Sequence, residues 1–156
     1  IDRQALPKAA VIAAFTPQHL PNTEDRVEIG TSLLIVGFPL GFHDALHHLP
    51  VVRQAVLASA HGLRFKGEGY YLTDGRTHRG TSGAPVVRRL PARAGMAAAV
   101  LPWQLLGVHS ARLDVDGREV GIDEALGLNC AWYADILMTL TSDEPPTAPA
   151  TAVGVD

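Results

Sequence analysis

The chain has 156 residues, of which 47% are hydrophobic and 19% charged, enough for one domain with a real core and too apolar for a disordered chain. Thirteen Lys and Arg against 16 Asp and Glu leave a net charge of −3, with no basic stripe interleaved with aromatics to hold nucleic acid. No apolar run reaches the ~20 residues that cross a bilayer and no secretory signal is visible, while Cys130, the only cysteine, leaves no partner for an internal disulfide.

Residues 1–28 carry Pro7, Pro17 and Pro21 and one apolar cluster, Val11-Ile12-Ala13-Ala14-Phe15. They read as a connecting segment laid across the domain that follows. From residue 29 to 141 the convincing runs are short, rich in Val, Leu, Ile and Tyr, and bounded by Gly and Pro. These are strand signals, and they predict strands near 31–36, 53–60, 69–73, 85–88, 104–110 and 127–132. The fold class is therefore all-β, an antiparallel six-stranded barrel, with a short C-terminal helix over Tyr133–Leu140. Arg89 to Pro102, rich in alanine, reads as an inserted surface loop. Asp116-Gly117 reads as a hairpin turn. Asp114-Val115-Asp116-Gly117 is no calcium loop, because its glycine comes too early. The tail 142–156, with Pro145, Pro146 and Pro149, has no core-forming pattern and is expected to be mobile. No internal repeat is present.

The chemistry is concentrated in Arg79-Gly80-Thr81-Ser82-Gly83-Ala84-Pro85. A serine nucleophile needs its hydroxyl exposed on a tight turn and backbone N–H groups aimed at the oxygen that becomes negative in acyl transfer. Gly80 lets the chain turn and approach a substrate with no Cβ in the way. Pro85 forbids a helix and opens an extended run, Pro85-Val86-Val87. The order is turn, serine, strand. A G-x-S-x-G elbow running into a helix is excluded by Ala84 and Pro85.

This turn resembles the G-[DN]-S-G-G-P turn of the trypsin/chymotrypsin-like serine peptidases, with Thr81 and Ala84 departing from the commonest residues. Thr73-Asp74 precedes Ser82 as the Thr-Asp pair does in the bacterial HtrA-like branch. Gly37-Phe38-Pro39-Leu40-Gly41 resembles that branch's G-[NY]-P-x-G segment. Gly107-Val108-His109-Ser110 resembles the strand lining the primary specificity pocket, and Leu128 to Leu137 resembles the last strand running into the C-terminal helix. The resemblance covers most of residues 29–140, in order. It implies the second barrel of a chymotrypsin-like double barrel, with Ser82 as nucleophile and the N–H groups of Gly80 and Ser82 as oxyanion donors. It also implies a peptide or protein substrate and no cofactor or metal. The lack of disulfides suits a bacterial relative. The compartment stays open.

In that family the base and its orienting carboxylate come from the first barrel. No histidine here stands in a T-A-x-H context, and Asp2 lacks the apolar-Ala pair that follows the family's aspartate. The resemblance thus implies that the missing N-terminal barrel supplies both groups and that this chain alone is nearly inert. A degenerate, non-catalytic peptide- or partner-binding barrel is the competing reading.

In glutamyl endopeptidases a threonine or serine near the position of Thr77 pairs with a histidine on a G-[IVM]-H pocket strand. Here the strand reads Gly107-Val108-His109. The resemblance implies a pocket formed by Thr77, His78, His109, Ser110 and Ala111 that favours Glu or Gln before the cleaved bond. Equally, His109 is readable as a half-buried strand residue bonded to backbone. Ser110-Ala111-Arg112 departs from the family's glycine-containing continuation. Thr73-Asp74 is expected to hydrogen-bond the loop around the pocket, and Arg76 and Arg79 to be solvated. His43-Asp44 with His47-His48 lies in a loop and offers too few oriented ligands for a metal. Cys130, in a strand-like run, reads as a buried thiol rather than a nucleophile.

Overall fold

β1 (Ser32–Gly37) buries Leu33 and Ile35 completely and leaves Ser32 exposed and Leu34 and Val36 half-buried. This period-two burial is what a strand with one face on a core must show. In the computed structural model, which describes residues 5–10, 13–91, 101–112 and 127–142, five further strands join it. They are β2 (Val51–Leu57), β3 (Tyr70–Asp74), β4 (Pro85–Arg89), β5 (Trp103–Arg112) and β6 (Leu128–Tyr133). One small helix, α1 (Ile136–Leu140), follows. All pairings are antiparallel, and the order β1-β2-β3-β6-β5-β4 closes on β1. Closure removes the open sheet edges.

The interior is filled by Leu33, Ile35, Leu57, Tyr71, Val86, Leu106 and Ala131, all fully buried. A second cluster of Val87, Leu105 and Ala134 takes Leu20, Trp103 and Leu137 against it. The segment before β1 lies on the barrel. Val27 enters the core, Arg88 donates to the Arg26 carbonyl, and Gln104 donates to the Asp25 carboxylate.

Element boundaries differ from the sequence reading where side chains intervene. β2 starts at Val51 and ends at Leu57 rather than at Ala60. Beyond it the Ser59 hydroxyl accepts the Leu72 N–H, so a side chain replaces the next rung of the ladder. The helix begins at Ile136 rather than Tyr133. Tyr133 stays in β6, opposite Gly107, with its hydroxyl accepting the Gly62 N–H and donating to the Leu63 carbonyl. Asp2, Val11-Ile12, most of the Arg89–Pro102 loop, the Asp114–Gly117 stretch and the tail beyond Ser142 lie outside the described residues.

Candidate active site

Two glycine turns in succession present Ser82. In the first, the Thr81 N–H closes on the His78 carbonyl at 3.2 Å, with Gly80 in third place at φ +87°. In the second, the Ala84 N–H closes on the Thr81 carbonyl at 3.0 Å, with Gly83 in third place at φ +85°. A positive φ at the third residue is the type II pattern, which an L side chain adopts only under strain. Gly80 is required twice over, since a Cβ there would lie 2.8 Å from the Phe38 carbonyl oxygen. The turn is then clamped to β5. Gly83 N–H donates to the His109 carbonyl and His109 N–H to the Ala84 carbonyl, both at 2.8 Å.

The result is an exposed Ser82 between buried Thr81 and Ala84. The backbone N–H groups of Gly80 and Ser82 donate to no protein acceptor among the described residues. The Ser82 hydroxyl donates to the Ser110 carbonyl at 2.5 Å. Ser110 is the extra residue of a β-bulge, for His109 pairs with Ala131 while Ala111 pairs with Cys130. A bulge takes backbone groups out of the ladder and re-aims them, here toward the serine.

The expected pocket residues fall into two groups. Thr77 and His109 are buried, at 5% and 2% exposure. His78 is exposed, and of Ala111 only the backbone is described. Burial pushes the His109 imidazole below the usual histidine range, so it is neutral near pH 7. Its Nδ1 has no hydrogen-bond partner among the described residues. The Thr77 hydroxyl donates to the Asn129 side-chain oxygen at 2.5 Å.

Asn129 is the residue that sequence reasoning missed. At 1% exposure it takes the Thr77 hydroxyl on Oδ1 and donates from Nδ2 to the carbonyls of Gly75 at 2.8 Å and Gly127 at 3.0 Å. The signal was available as a lone amide in the apolar run Leu128 to Ala131. Thr73-Asp74, by contrast, does not tie down the loop. The buried Thr73 hydroxyl has no partner, and the exposed Asp74 carboxylate makes no hydrogen bond or ion pair among the described residues. The amide can donate to two carbonyls at once, which a carboxylate cannot.

Three other groups stand apart from Ser82. The Cys130 thiol is part-buried and burial pushes its pKa up, the opposite of an activated nucleophile. His47 Nδ1 bonds the Asp44 carboxylate at 2.7 Å in an exposed loop. A cavity of about 710 Å³, lined by Leu20, Val27, His61, Leu106, Tyr133 and Met138 among others, shares no residue with the Ser82 turn.

No family model matches the chain, and no curated protein matches it. Among solved structures it is similar to Rv3671c from M. tuberculosis H37Rv, crystallised as a serine-to-alanine mutant in an inactive form. The two are 14% identical with a TM-score of 0.47, over 82% of this chain and 56% of that one. This chain thus spans little more than half the length of that structure.

Proposed function

We propose that this barrel is the nucleophile-bearing half of a chymotrypsin-like serine peptidase, hydrolysing peptide bonds through an acyl-enzyme on Ser82. The observation that carries the reading is the Ser82 turn: an exposed hydroxyl flanked by two backbone N–H groups with no acceptor among the described residues, on a turn bonded to the neighbouring strand at both Gly83 and Ala84. Ser82 attacks the substrate carbonyl. The N–H groups of Gly80 and Ser82 receive the oxyanion. The bulged strand at Ser110 pairs with the substrate backbone. In this reading the base and the carboxylate that orients it come from an upstream barrel; the only partner of the Ser82 hydroxyl among the described residues is a carbonyl, which cannot take its proton.

For the residue before the cleaved bond, the reading is Glu or Gln. A neutral His109 with an unpartnered Nδ1 supports it, since a buried imidazole N–H can donate to a carboxylate or amide. Thr77 donates its hydroxyl to Asn129 and so offers the substrate no proton; an acceptor oxygen there suits the amide of Gln and not the carboxylate of Glu.

Fluorophosphonate labelling of the longer native protein beside this chain, with the adduct located by peptide mass, tests the proposal. Adduct on Ser82 in the longer form alone is the expected result. No adduct in either form would instead make this a binding barrel without catalysis.

A further inference from the structure

The inner face of the barrel turns polar where β3, β5 and β6 meet. Thr73 on β3 stands directly opposite Asn129 on β6, and His109 on β5 stands directly opposite Ala131, two residues along from Asn129. Opposite residues in an antiparallel pair share a face, as do residues two apart on a strand. Thr73, Asn129, Ala131 and His109 therefore all turn inward, and each is at most 2% exposed. Yet the Thr73 hydroxyl and the His109 Nδ1 have no hydrogen-bond partner among the described residues. Buried polar atoms are rarely left so, and a bound side chain would supply what they lack.

Asn129 fixes the polarity of this region. Its Nδ2 donates to the carbonyls of Gly75 at 2.8 Å and Gly127 at 3.0 Å, and a carbonyl can only accept. The amide therefore cannot turn over, and its Oδ1 must face Thr77. Oδ1 is itself only an acceptor, so the single hydroxyl proton of Thr77 lies in the 2.5 Å bond between them. Whatever else Thr77 touches, it has no proton left for a substrate. His109 adds no cation near pH 7, since burial keeps its imidazole neutral. Glu and Gln have the same shape and differ in polarity. A neutral imidazole N–H can donate to one oxygen of either. At Thr77 the second oxygen of a Glu carboxylate meets an oxygen without a proton to give, whereas the Gln amide meets an acceptor for its N–H.

We infer that Asn129 is a specificity-determining residue, which selects Gln over Glu before the cleaved bond by keeping the Thr77 proton to itself. The inference rests on the reading of Ser82 as the nucleophile of a peptidase with Thr77 and His109 in its pocket. Peptides that differ only in carrying Gln, Glu or methionine sulfoxide before the cleaved bond test it in the longer protein. The sulfoxide keeps an acceptor oxygen and has a methyl group where Gln has its N–H groups. The unaltered protein is expected to cleave the Gln peptide about tenfold faster or more, by kcat/KM, than either of the others, because a site built to pair a polar group rejects an analogue that lacks it. Asn129→Leu releases the Thr77 proton to a carboxylate, and the ratio of Gln to Glu cleavage falls about tenfold. Thr77→Val, the second variant, removes the oxygen itself: Gln cleavage falls to the level of the sulfoxide while Glu gains nothing.

Glu or the sulfoxide cleaved as fast as Gln by the unaltered protein overturns the inference, as does a ratio of Gln to Glu that both variants leave unmoved. Fluorophosphonate labelling run beside the assay keeps the two failures apart. Adduct on Ser82 without the Gln preference overturns the role of Asn129 alone, whereas neither adduct nor cleavage overturns the peptidase reading and this inference with it.

Discussion

The Ser82 hydroxyl donates to the main-chain carbonyl of Ser110, 28 residues away in sequence, across the bulge of β5. This bond ties the Ser82 turn to β5 and leaves the serine proton on an acceptor that cannot act as a base. On the proposed reading of Ser82 as nucleophile, Ser82→Ala should abolish fluorophosphonate labelling and reduce peptide cleavage by about 10³-fold or more. Because the bond is exposed, its loss should cost no more than about 1 kcal/mol of stability. Cleavage that survives the substitution would place the nucleophile elsewhere.

Gly80 and Gly83 share the same backbone sign but not the same surroundings. A Cβ at Gly80 meets the Phe38 carbonyl at 2.8 Å and the Leu40 nitrogen at 3.1 Å, whereas a Cβ at Gly83 meets nothing within 4 Å. Gly83→Ala should carry only the conformational penalty, about 1–2 kcal/mol. Gly80→Ala must also push the Phe38–Leu40 backbone away and should cost about 3 kcal/mol or more. Urea unfolding of the two variants checks the order, and equal losses would show that the approach of the two loops is not as close as described.

The barrel was legible because its strands are apolar runs cut by Gly and Pro, and the Ser82 turn because Gly80, Gly83 and Pro85 each exclude alternatives by covalent geometry. The pocket was less legible. His109 could be placed on a strand by its neighbours Gly107 and Val108, but its missing Nδ1 partner is a fact of three-dimensional packing. Asn129 and Thr77 are 52 residues apart, and nothing local to either states that they meet. Thr73-Asp74 misled because a polar pair beside a functional turn invites a hydrogen-bonding role, while the register of β3 leaves Thr73 inside the barrel and Asp74 outside. The turn that Gly41 N–H closes on the Phe38 carbonyl, with Leu40 third at φ +54°, shows the same limit. A leucine at a glycine position is invisible in sequence until the bond from Gly41 to Phe38 is seen.

Asn129 holds three partners in a site with almost no access to water. Asn129→Leu removes all three bonds; the Gly75 carbonyl loses its donor, while the Gly127 carbonyl keeps the Gly75 N–H. A hydrogen bond is worth about 1 kcal/mol net and a buried group left unsatisfied costs about 1–3 kcal/mol, so a total loss of about 3 kcal/mol is expected. Asp74→Ala, at an exposed carboxylate without a partner among the described residues, should stay within about 0.5 kcal/mol. Thermal unfolding of the pair separates the two roles. A large loss at Asp74 with a small one at Asn129 would restore the Thr-Asp pair as the loop's anchor.

Two histidines set the acid side of the stability profile. His109 and His61 both titrate below the ordinary 6.5, chiefly because burial disfavours the imidazolium; Arg88 adds to the effect at His61 and Asp135 opposes it. Above pH 6.5 both rings are neutral in the folded and unfolded chain, and stability does not depend on them. Below it the unfolded chain binds protons that the folded barrel refuses, so stability falls with pH until the folded rings titrate in turn. Each proton of difference is worth about 1.4 kcal/mol per pH unit in that window. Urea midpoints measured from pH 7.5 to pH 5 should therefore drop on the acid side, and His109→Gln should reduce that slope while leaving the plateau above pH 6.5 unaffected. An unchanged slope in that variant would mean that the His109 ring is solvated in the folded barrel.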